Sequence, residues 1–276
     1  HQRVYLVDGD NYTFVDSTLR TSPPDGLDPI IFSVPTSESG TYTFTSVHID
    51  TAGNRSGYGN SMAVEIDHVL PEASITSDGD SLVRSGDVST LATFNFSEPM
   101  DSVTVPKVDI IYPGADESLN LSNQSLTESG DGDDVWTFAI PLNSTGLDTI
   151  NGIITLSVIA SDVAGNPISG TDITGLTTLR VDNTDPTFSN VVPPSNSFNN
   201  VLNNFSWTLS ESIVSGTVTF NKLSDGTNID VALADIERVA GDRGTGSFSS
   251  GDPVLTEGLY NMIFTSVDTA GNTGRD

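Results

Sequence analysis

Acidic residues recur along the sequence in repeated motifs whose chemistry suits cation binding. The motif Asp-x-Ala-Gly-Asn occurs three times, with its acid at Asp50, Asp162 and Asp268. A Ser-Glu pair that ends at Glu98 or Glu211 precedes the second and the third copy. Carboxylates are ligands that hard cations prefer, and Ca²⁺ takes about six to eight oxygens. Because the chain has no Cys and only three His, these acids favour calcium over zinc.

Each Asp-x-Ala-Gly-Asn motif follows a segment in which alternate residues are mostly apolar. Alternation with a period of two is typical of a half-buried β-strand. Counting back from each acid in steps of two gives the side chains that we expect to face a core: Tyr42, Phe44, Ser46 and His48; Ile154, Leu156, Val158 and Ala160; Tyr260, Met262, Phe264 and Ser266. The sequence therefore predicts three equivalent strands, each of which leads into the acid of its motif.

Two further patterns repeat with the first and set the expected domain boundaries. An alternating strand ends in each Ser-Glu pair, and a strand followed by an acid and then Pro contains Asp67 or Asp182. Pro after a strand marks a chain that leaves its sheet. We therefore expect a partial domain 1–66 without its N-terminal strands, a complete domain 67–181, and a domain 182–276 without its last strand. This pattern predicts a segment of a longer tandem array; alternatively, a neighbouring chain supplies the missing strands.

The strands are short, rich in Val, Ile, Thr and Phe, and separated by turns of Gly, Pro, Asn and Asp. No helix is convincing, although residues 231–239 could form either one short helix or a strand. This pattern predicts an all-β fold of antiparallel sandwiches. Trp136 and Trp207 lie in alternating strands, so we expect them in the cores rather than on a sugar-stacking surface.

The order Phe-Ser-Glu-Pro, Asp-x-Ala-Gly-Asn and Val-Asp-x-x-x-Pro resembles the bacterial immunoglobulin-like (Big) domain family. The second domain matches over its full length, whereas the third has Ser-Glu-Ser and the first matches only in its C-terminal half. The resemblance implies tandem immunoglobulin-like β-sandwiches in a rod-like array, as in large adhesins and in cell-surface and surface-layer proteins. It also implies calcium at the junctions between domains, since related tandem domains often bind it there.

In an immunoglobulin-like sandwich, the incoming linker and the loops after the second and sixth strands lie at one end. The acids should therefore meet in two groups: Asp67, Glu98 and Asp162 at a first joint; Asp182, Asp185, Glu211 and Asp268 at a second. Like charges at short range repel each other and raise pKa values, which a bound calcium ion would relieve. We expect the second joint to be the better site because Asp185 adds an acid. In the alternative interpretation the motif is only a turn, and the glutamates are solvated strand ends.

The overall charge restricts the partners of the chain. Acids outnumber bases 37 to 10, for a net charge of −27, which argues against nucleic acid and anionic lipid surfaces. No apolar run is long enough to insert into a membrane. The expected partners are divalent cations, neighbouring domains of the same chain and, in a polymeric assembly, other copies of it. No catalytic motif is recognisable, and His48 is expected at the edge of a core, so we predict a protein without enzymatic activity.

Seven Asn-x-Ser/Thr sequons occur, and those in polar, loop-like sequence are the candidate glycosylation sites: Asn120, Asn123 and Asn143. The whole pattern predicts a structural segment of an extracellular cell-surface protein, such as a surface layer, sheath or fibre, with calcium-stiffened joints. The alternative is the stalk of an adhesin that presents a distal binding domain. A third class, a carbohydrate-binding or spacer region of a secreted enzyme, predicts an exposed aromatic surface, but we expect the few aromatic residues (7%) to lie in the cores.

Overall fold

The computed structural model describes residues 2–8, 11–18, 38–79, 81–114, 116–130, 132–198 and 204–276. Within these ranges the chain is built from β-strands. The helices there are four three-residue 3-10 turns: Ser85–Asp87, Glu117–Leu119, Gly170–Asp172 and Asp235–Glu237. The predicted all-β class is therefore confirmed. The ambiguous stretch 231–239 contains the end of a strand and the last of these turns.

The N-terminal part of the chain forms one antiparallel sheet in the order β2-β1-β3-β4. Its strands are β1 (Gln2–Asp8), β2 (Asn11–Thr18), β3 (Gly40–His48) and β4 (Met62–Ile66). All four strands end before the linker acid Asp67, so the first acid of the candidate sites follows directly from this sheet.

The middle part forms a sandwich of two five-stranded sheets, which we call the second sandwich. Its strands are β5 (Ala73–Ser77), β6 (Leu82–Val83), β7 (Ser89–Phe96), β8 (Lys107–Ile111), β9 (Leu121–Ser125), β10 (Thr127–Glu128), β11 (Val135–Pro141), β12 (Gly152–Ile159), β13 (Ile173–Gly175) and β14 (Thr178–Val181). The sheet orders are β10-β11-β7-β5-β13 and β6-β14-β12-β8-β9. Strand pairing is antiparallel except at two edges, where β13 joins β5 and β14 joins β6 in parallel.

The C-terminal part forms a smaller sandwich, the third sandwich. Its strands are β15 (Phe188–Val192), β16 (Phe205–Leu209), β17 (Ile213–Lys222), β18 (Asn228–Ala232), β19 (Gly241–Gly246), β20 (Tyr260–Asp268) and β21 (Thr273–Arg275). They form sheets in the orders β15-β16-β19 and β18-β17-β20-β21, and every pairing is antiparallel.

Each sandwich has its own core of buried apolar side chains from both of its sheets. Trp136 lies in the core of the second sandwich and Trp207 in that of the third, as the alternating pattern predicts. Removing such side chains from water is the main favourable term in folding. The two cores fix the sheets of each sandwich in place. The sheets in turn position the loops at the sandwich ends, which carry the acids.

The predicted alternation holds in β12 and β20 and continues to Asp162 and Asp268, which face inward. Ile154, Leu156 and Ala160 are buried before Asp162, and Phe264 and Ser266 are buried before Asp268. Because a strand alternates strictly, each acid continues the inward-facing set of its strand.

In β3 the predicted alternation breaks, and the prediction for His48 is wrong. Thr45 and Val47 are buried while His48 is exposed. The reason is that the segment after β3 folds back over the other face of the strand. The Thr45 hydroxyl donates to the Gly59 carbonyl (2.8 Å), and the Gly59 N–H donates to the Ser46 carbonyl (2.9 Å).

Candidate metal centres at two linkers

The Asp-x-Ala-Gly-Asn motif folds into the same turn in all three copies. In the second copy the N–H of Asn166 donates to Oδ1 of Asp162 (2.8 Å), and its side-chain Nδ2 donates to Oδ2 (2.8 Å). Asn272 makes the same pair of bonds to Asp268, at 2.8 Å each. Asn54 bonds in the same way to Asp50, at 2.8 and 2.7 Å. The Asp side chain therefore helps to close the turn, as side chain-to-backbone bonding predicts. Backbone bonds close it as well, such as the one from the Asp162 N–H to the Asn166 carbonyl (3.0 Å).

The Asn of the turn also holds the incoming linker in the second and third copies. Asn166 Nδ2 donates to the Asp67 carbonyl (3.2 Å), and Asn272 Nδ2 donates to the Asp182 carbonyl (2.9 Å). Each amide thus joins the turn of one sandwich to the linker acid that precedes that sandwich.

The Ser of each Ser-Glu pair fixes the same linker from the other side. The Ser97 N–H donates to the Glu72 carbonyl (2.9 Å), and Ser97 Oγ accepts from the Glu72 N–H (2.9 Å). Ser210 repeats both bonds with Thr187, at 3.0 and 2.9 Å. The following glutamates are thereby placed beside the turn, as the sandwich geometry predicts.

These contacts bring three carboxylates together at each linker. We call Asp67, Glu98 and Asp162 the first joint, and Asp182, Glu211 and Asp268 the second joint. In each joint, one carboxylate oxygen from every acid lies within 4.8 Å of those from the other two. The turn acids are almost fully buried, with exposed fractions of 1% for Asp162 and 2% for Asp268.

Burial and mutual repulsion make each joint electrostatically unfavourable. Burial raises the pKa of the Glu98 carboxyl, and the charges of Asp162 and Asp67 raise it further. The pKa of Glu211 is raised in the same way, first by burial and then by Asp182 and Asp268.

The two joints differ in the cations beside them. At the second joint, Arg180 Nη2 lies 3.8 Å from Asp182 Oδ2, and its charge lowers the pKa of Glu211. The guanidinium of Arg84 also lies against the turn, 3.2–3.3 Å from where a Cβ on Gly271 would stand. In the described part of the chain, no Lys or Arg forms an ion pair with the acids of the first joint.

Six of the seven predicted ligand residues thus come together, and Asp185 does not. Asp185 is exposed and lies outside the 4.8 Å group. It makes the smallest contribution to the raised pKa of Glu211. The second joint therefore gains no close fourth acid, and the expectation that Asp185 makes it the better site is not supported. Asp185 follows Asp182 by three positions in the linker and is exposed, so its carboxylate stays outside the buried cluster.

Sequence reasoning missed the residues that arrange the acids. Asn166 and Asn272 were recognisable only as turn residues, although their recurrence at the same place in each motif was a usable signal. The sequence did offer a signal for Arg180, which precedes Asp182 by two positions at the end of a strand, and residues two apart on extended backbone share a face. No sequence pattern indicated the contact between Arg84 and Gly271, because the two residues are far apart in sequence.

The candidate glycosylation residues occupy different settings. Asn143 is exposed in a turn after β11, as expected for loop sequence. Asn123, also exposed, lies inside β9 with a φ of 53°, so its expected loop location is wrong. Asn120 is half-buried, and its Oδ1 accepts from the Tyr112 N–H (2.9 Å).

Several aromatic side chains lie outside the cores, contrary to expectation. In the N-terminal sheet, Tyr12, Phe14 and Tyr58 are exposed, and the rings of Tyr12 and Tyr58 stack at 3.9 Å between centroids. Arg55 lies over the Tyr58 ring at 5.0 Å. Alternation alone did not reveal this cluster, because Tyr58 comes from the loop that folds back on β3.

Comparisons with known proteins identify no family for this chain. No family model and no curated protein matches the chain. Among solved structures, a tetra-tandem repeat in the extending region of a large adhesion protein is 17% identical, with a TM-score of 0.33 over 100% of this chain. This chain spans 64% of that one. Native alpha-2-macroglobulin from Escherichia coli is 9% identical, with a TM-score of 0.28 over 99% of this chain and 85% of its own.

The described ranges contain no helix with the length and apolar character that a transmembrane span requires.

Proposed function

We propose that this chain is a non-enzymatic structural segment of an extracellular cell-surface protein, with joints stiffened by calcium. The observation that supports this most is repetition. The same three acids, the same turn and the same Asn-to-linker bond occur at two separate linkers. A solvated turn does not need a linker acid and a glutamate beside it, as the exposed Asp50 turn illustrates.

The residues present fit calcium. Ca²⁺ binds oxygens at about 2.3–2.6 Å, so two ligands of one ion can be at most roughly 5 Å apart, which agrees with the 4.8 Å limit found in each joint. Each oxygen of Asp162 and Asp268 accepts one hydrogen bond in the turn. A carboxylate oxygen has two lone pairs, so each retains one for a metal ion.

A calcium ion would offset the negative charge that the three acids bring to each joint. At each joint one acid comes from the linker and two come from the sandwich that follows it. An ion held by all three would fix the direction of the linker relative to that sandwich. Extracellular modules bind calcium with dissociation constants of about 10⁻⁴–10⁻³ M. At a hundredfold excess, each site would add about 2.7 kcal/mol to the unfolding free energy.

A surface layer, sheath or fibre is the form that we favour, and the stalk of an adhesin is the alternative. Calcium-stiffened joints would serve either. Small-angle scattering separates them: a lattice component should form large repeating contacts between chains as concentration rises, whereas a stalk should remain monomeric and extended.

The test is a thermal melt of the chain in millimolar calcium, in equal magnesium, and in excess chelator. Because Trp136 and Trp207 lie in different cores, their single-tryptophan variants report the two joints separately. We expect calcium, and not magnesium, to raise the midpoints of both sandwiches.

Variants of the proposed ligands test the assignment. Glu98→Gln should remove the calcium effect at the first joint, and Asp182→Ala with Glu211→Ala should remove it at the second. Glu257→Gln, at an exposed acid of the third sandwich, is the matched control; unchanged calcium stabilisation in the joint variants would refute the ligand assignment.

One observation favours a second candidate function, carbohydrate binding by the N-terminal sheet. Tyr12, Phe14 and Tyr58 form an exposed aromatic surface, and aromatic side chains combine a large apolar area with, in Tyr, a polar hydroxyl. Binding to a panel of polysaccharides that Tyr58→Ala abolishes would support this function, and no binding at millimolar sugar would remove it.

A further inference from the structure

The side chain of Asn183 ties the linker that follows the second sandwich to that sandwich. Its Nδ2 donates to the carbonyls of Leu147 and Ile150, at 2.9 Å each. Its Oδ1 accepts from the Ser85 N–H at 2.7 Å. An amide group has two N–H donors and one acceptor oxygen, so both donors and the oxygen of this side chain are bonded. One residue of the linker thus contacts two separate segments of the second sandwich.

The backbone around Asn183 is bonded to the same sandwich. The Asn183 N–H donates to Oδ1 of Asn151 (2.6 Å), and the N–H of the linker acid Asp182 donates to the Val83 carbonyl (2.9 Å). Because both residues are bonded through their backbone and Asn183 through its side chain as well, this part of the linker continues the second sandwich.

The other end of the linker is held by the third sandwich. Thr187 exchanges two hydrogen bonds with the Ser of the Ser-Glu pair, at 3.0 and 2.9 Å. The Pro186 carbonyl lies so close to β21 that a Cβ on Gly274 would overlap its oxygen. Thr184 and Asp185, both exposed, lie between the two sets of contacts. The stretch in which the chain passes from one sandwich to the next is therefore short.

Arg84 connects the two sandwiches directly. Its backbone N–H donates to Oδ2 of Asp87 in the second sandwich (2.9 Å). Its guanidinium lies 3.2–3.3 Å from where a Cβ on Gly271 would stand, in the turn of the third sandwich. At the corresponding Gly165, a Cβ would meet nothing within 4 Å among the described residues. The arginine therefore adds a contact at the second joint that the turn of the first joint does not make there.

The first linker has a different residue at the position of Asn183. Counted from the linker acids, His68 corresponds to Asn183. The His68 N–H donates to Oγ of Ser39 (2.8 Å), just as the Asn183 N–H donates to Asn151, but His68 is exposed. Over the described residues, the side-chain bonds to the preceding sandwich therefore distinguish the second linker from the first.

We propose that Asn183 is a positioning residue that fixes the linker acid Asp182 to the second sandwich without a metal ion, and that Arg84 supports it. We call the contacts of these two side chains the linker anchor. The calcium ion proposed above would hold Asp182 to the third sandwich, because Glu211 and Asp268 belong to that sandwich. Domains joined by a linker move relative to each other by default. A single relative orientation therefore requires that the linker be held on both sides.

The distance between two spin labels tests the linker anchor. The chain has no Cys, so Ser122→Cys in the second sandwich and Ser215→Cys in the third, both at exposed positions, provide the label sites. Asn183→Asp keeps the size of the side chain and an acceptor oxygen for Ser85, but it removes both N–H donors. We expect it to broaden the distribution of label distances that pulsed dipolar spectroscopy measures.

The matched control is Thr184→Ala, at the exposed neighbour in the same linker, which should keep the distribution narrow. Emission from Trp136 and Trp207, which lie in different cores, verifies that both sandwiches are folded in each variant. Arg84→Gln should also broaden the distribution, and it provides the test if the Asn183 variant does not fold.

The measurement is made in calcium and in chelator. The broadening should occur in both, because the linker anchor contains no metal, so failure of the calcium ligands would not be mistaken for failure of the anchor. Distributions as narrow as that of the control in both anchor variants, or a broadening in chelator that calcium abolishes, would overturn the proposal.

Discussion

The two joints contain the same three acids but differ in how their charge is compensated. The first joint has no ion pair from a described Lys or Arg, whereas Arg180 approaches Asp182 at the second and Arg84 lies against its turn. Both arginines come from the sandwich before the linker. The difference teaches that the preceding sandwich partly neutralises the second joint, while no ion pair from a described Lys or Arg offsets the acids of the first.

The Asp50 turn provides a third region for comparison, because it has the motif without the other acids. Its internal hydrogen bonds match those of Asp268. Yet Asp50 is exposed, and its pKa is lowered, mainly by the hydrogen bond from Asn54. The motif alone therefore makes a stable, solvated turn. Only the linker and the Ser-Glu strand convert that turn into a buried acid cluster.

The largest expected effect is the difference in stability lost when the acid is removed from a buried turn and from the exposed one. Asp268→Ala should lower the unfolding free energy of the third sandwich by about 2 kcal/mol, because it leaves the buried N–H of Asn272 without an acceptor. Asp50→Ala should have a much smaller effect, since water can replace its bonds. Urea denaturation in chelator measures both losses. Trp207 emission follows the Asp268→Ala chain, and circular dichroism follows the Asp50→Ala chain. Equal losses would show that burial does not distinguish the turns.

The next effect tests the difference between the joints directly. In chelator, Glu98→Gln should raise the unfolding free energy of the second sandwich by roughly 0.5–1 kcal/mol, because it removes one of three repelling charges in a partly solvated cluster. Glu211→Gln should give a smaller gain, since Arg180 already compensates part of that repulsion. Denaturation curves with Trp136 and Trp207 as reporters compare the two. A larger increase in unfolding free energy from Glu211→Gln would mean that the charge repulsion is less compensated at the second joint than at the first, contrary to our expectation.

The pH dependence should follow from the raised pKa values of Glu98 and Glu211. An acid whose pKa is higher in the folded state binds more protons there, so its contribution to stability is present at low pH and is lost as pH rises through the folded pKa. In chelator, both sandwiches should therefore lose stability as pH rises through that window. With calcium the trend should reverse, because protons compete with the metal. A calcium-independent pH profile would contradict the metal assignment.

The smallest effect concerns Arg180. Its guanidinium is mostly exposed, so Arg180→Gln should cost only about 0.5 kcal/mol in chelator. In a chain that carries Arg180→Gln, the increase in unfolding free energy from Glu211→Gln should equal the increase that Glu98→Gln gives at the first joint. A double-mutant cycle of Arg180 and Glu211 measures this coupling. Independent effects of the two substitutions would mean that Arg180 does not distinguish the joints.

Much of the candidate site could be predicted from the repeats. The recurrence of Ser-Glu, Asp-x-Ala-Gly-Asn and the linker acid located six residues that the structure brings together. The prediction for Asp185 was less successful, because counting acids near a linker does not show which way each side chain points. His48 failed for a similar reason: the loop that covers the other face of β3 is invisible to a period-two pattern.

The sequence by itself determined the β-class, the turn at each motif and the phase that points Asp162 and Asp268 inward. These properties depend on neighbours within a few residues, where alternation and side chain-to-backbone bonds act. Tertiary structure alone decided that Arg180 and Arg84 lie beside the second joint and not the first, and that the segment after β3 covers Thr45. Such features depend on contacts between distant segments, whose distances and burial no local pattern encodes.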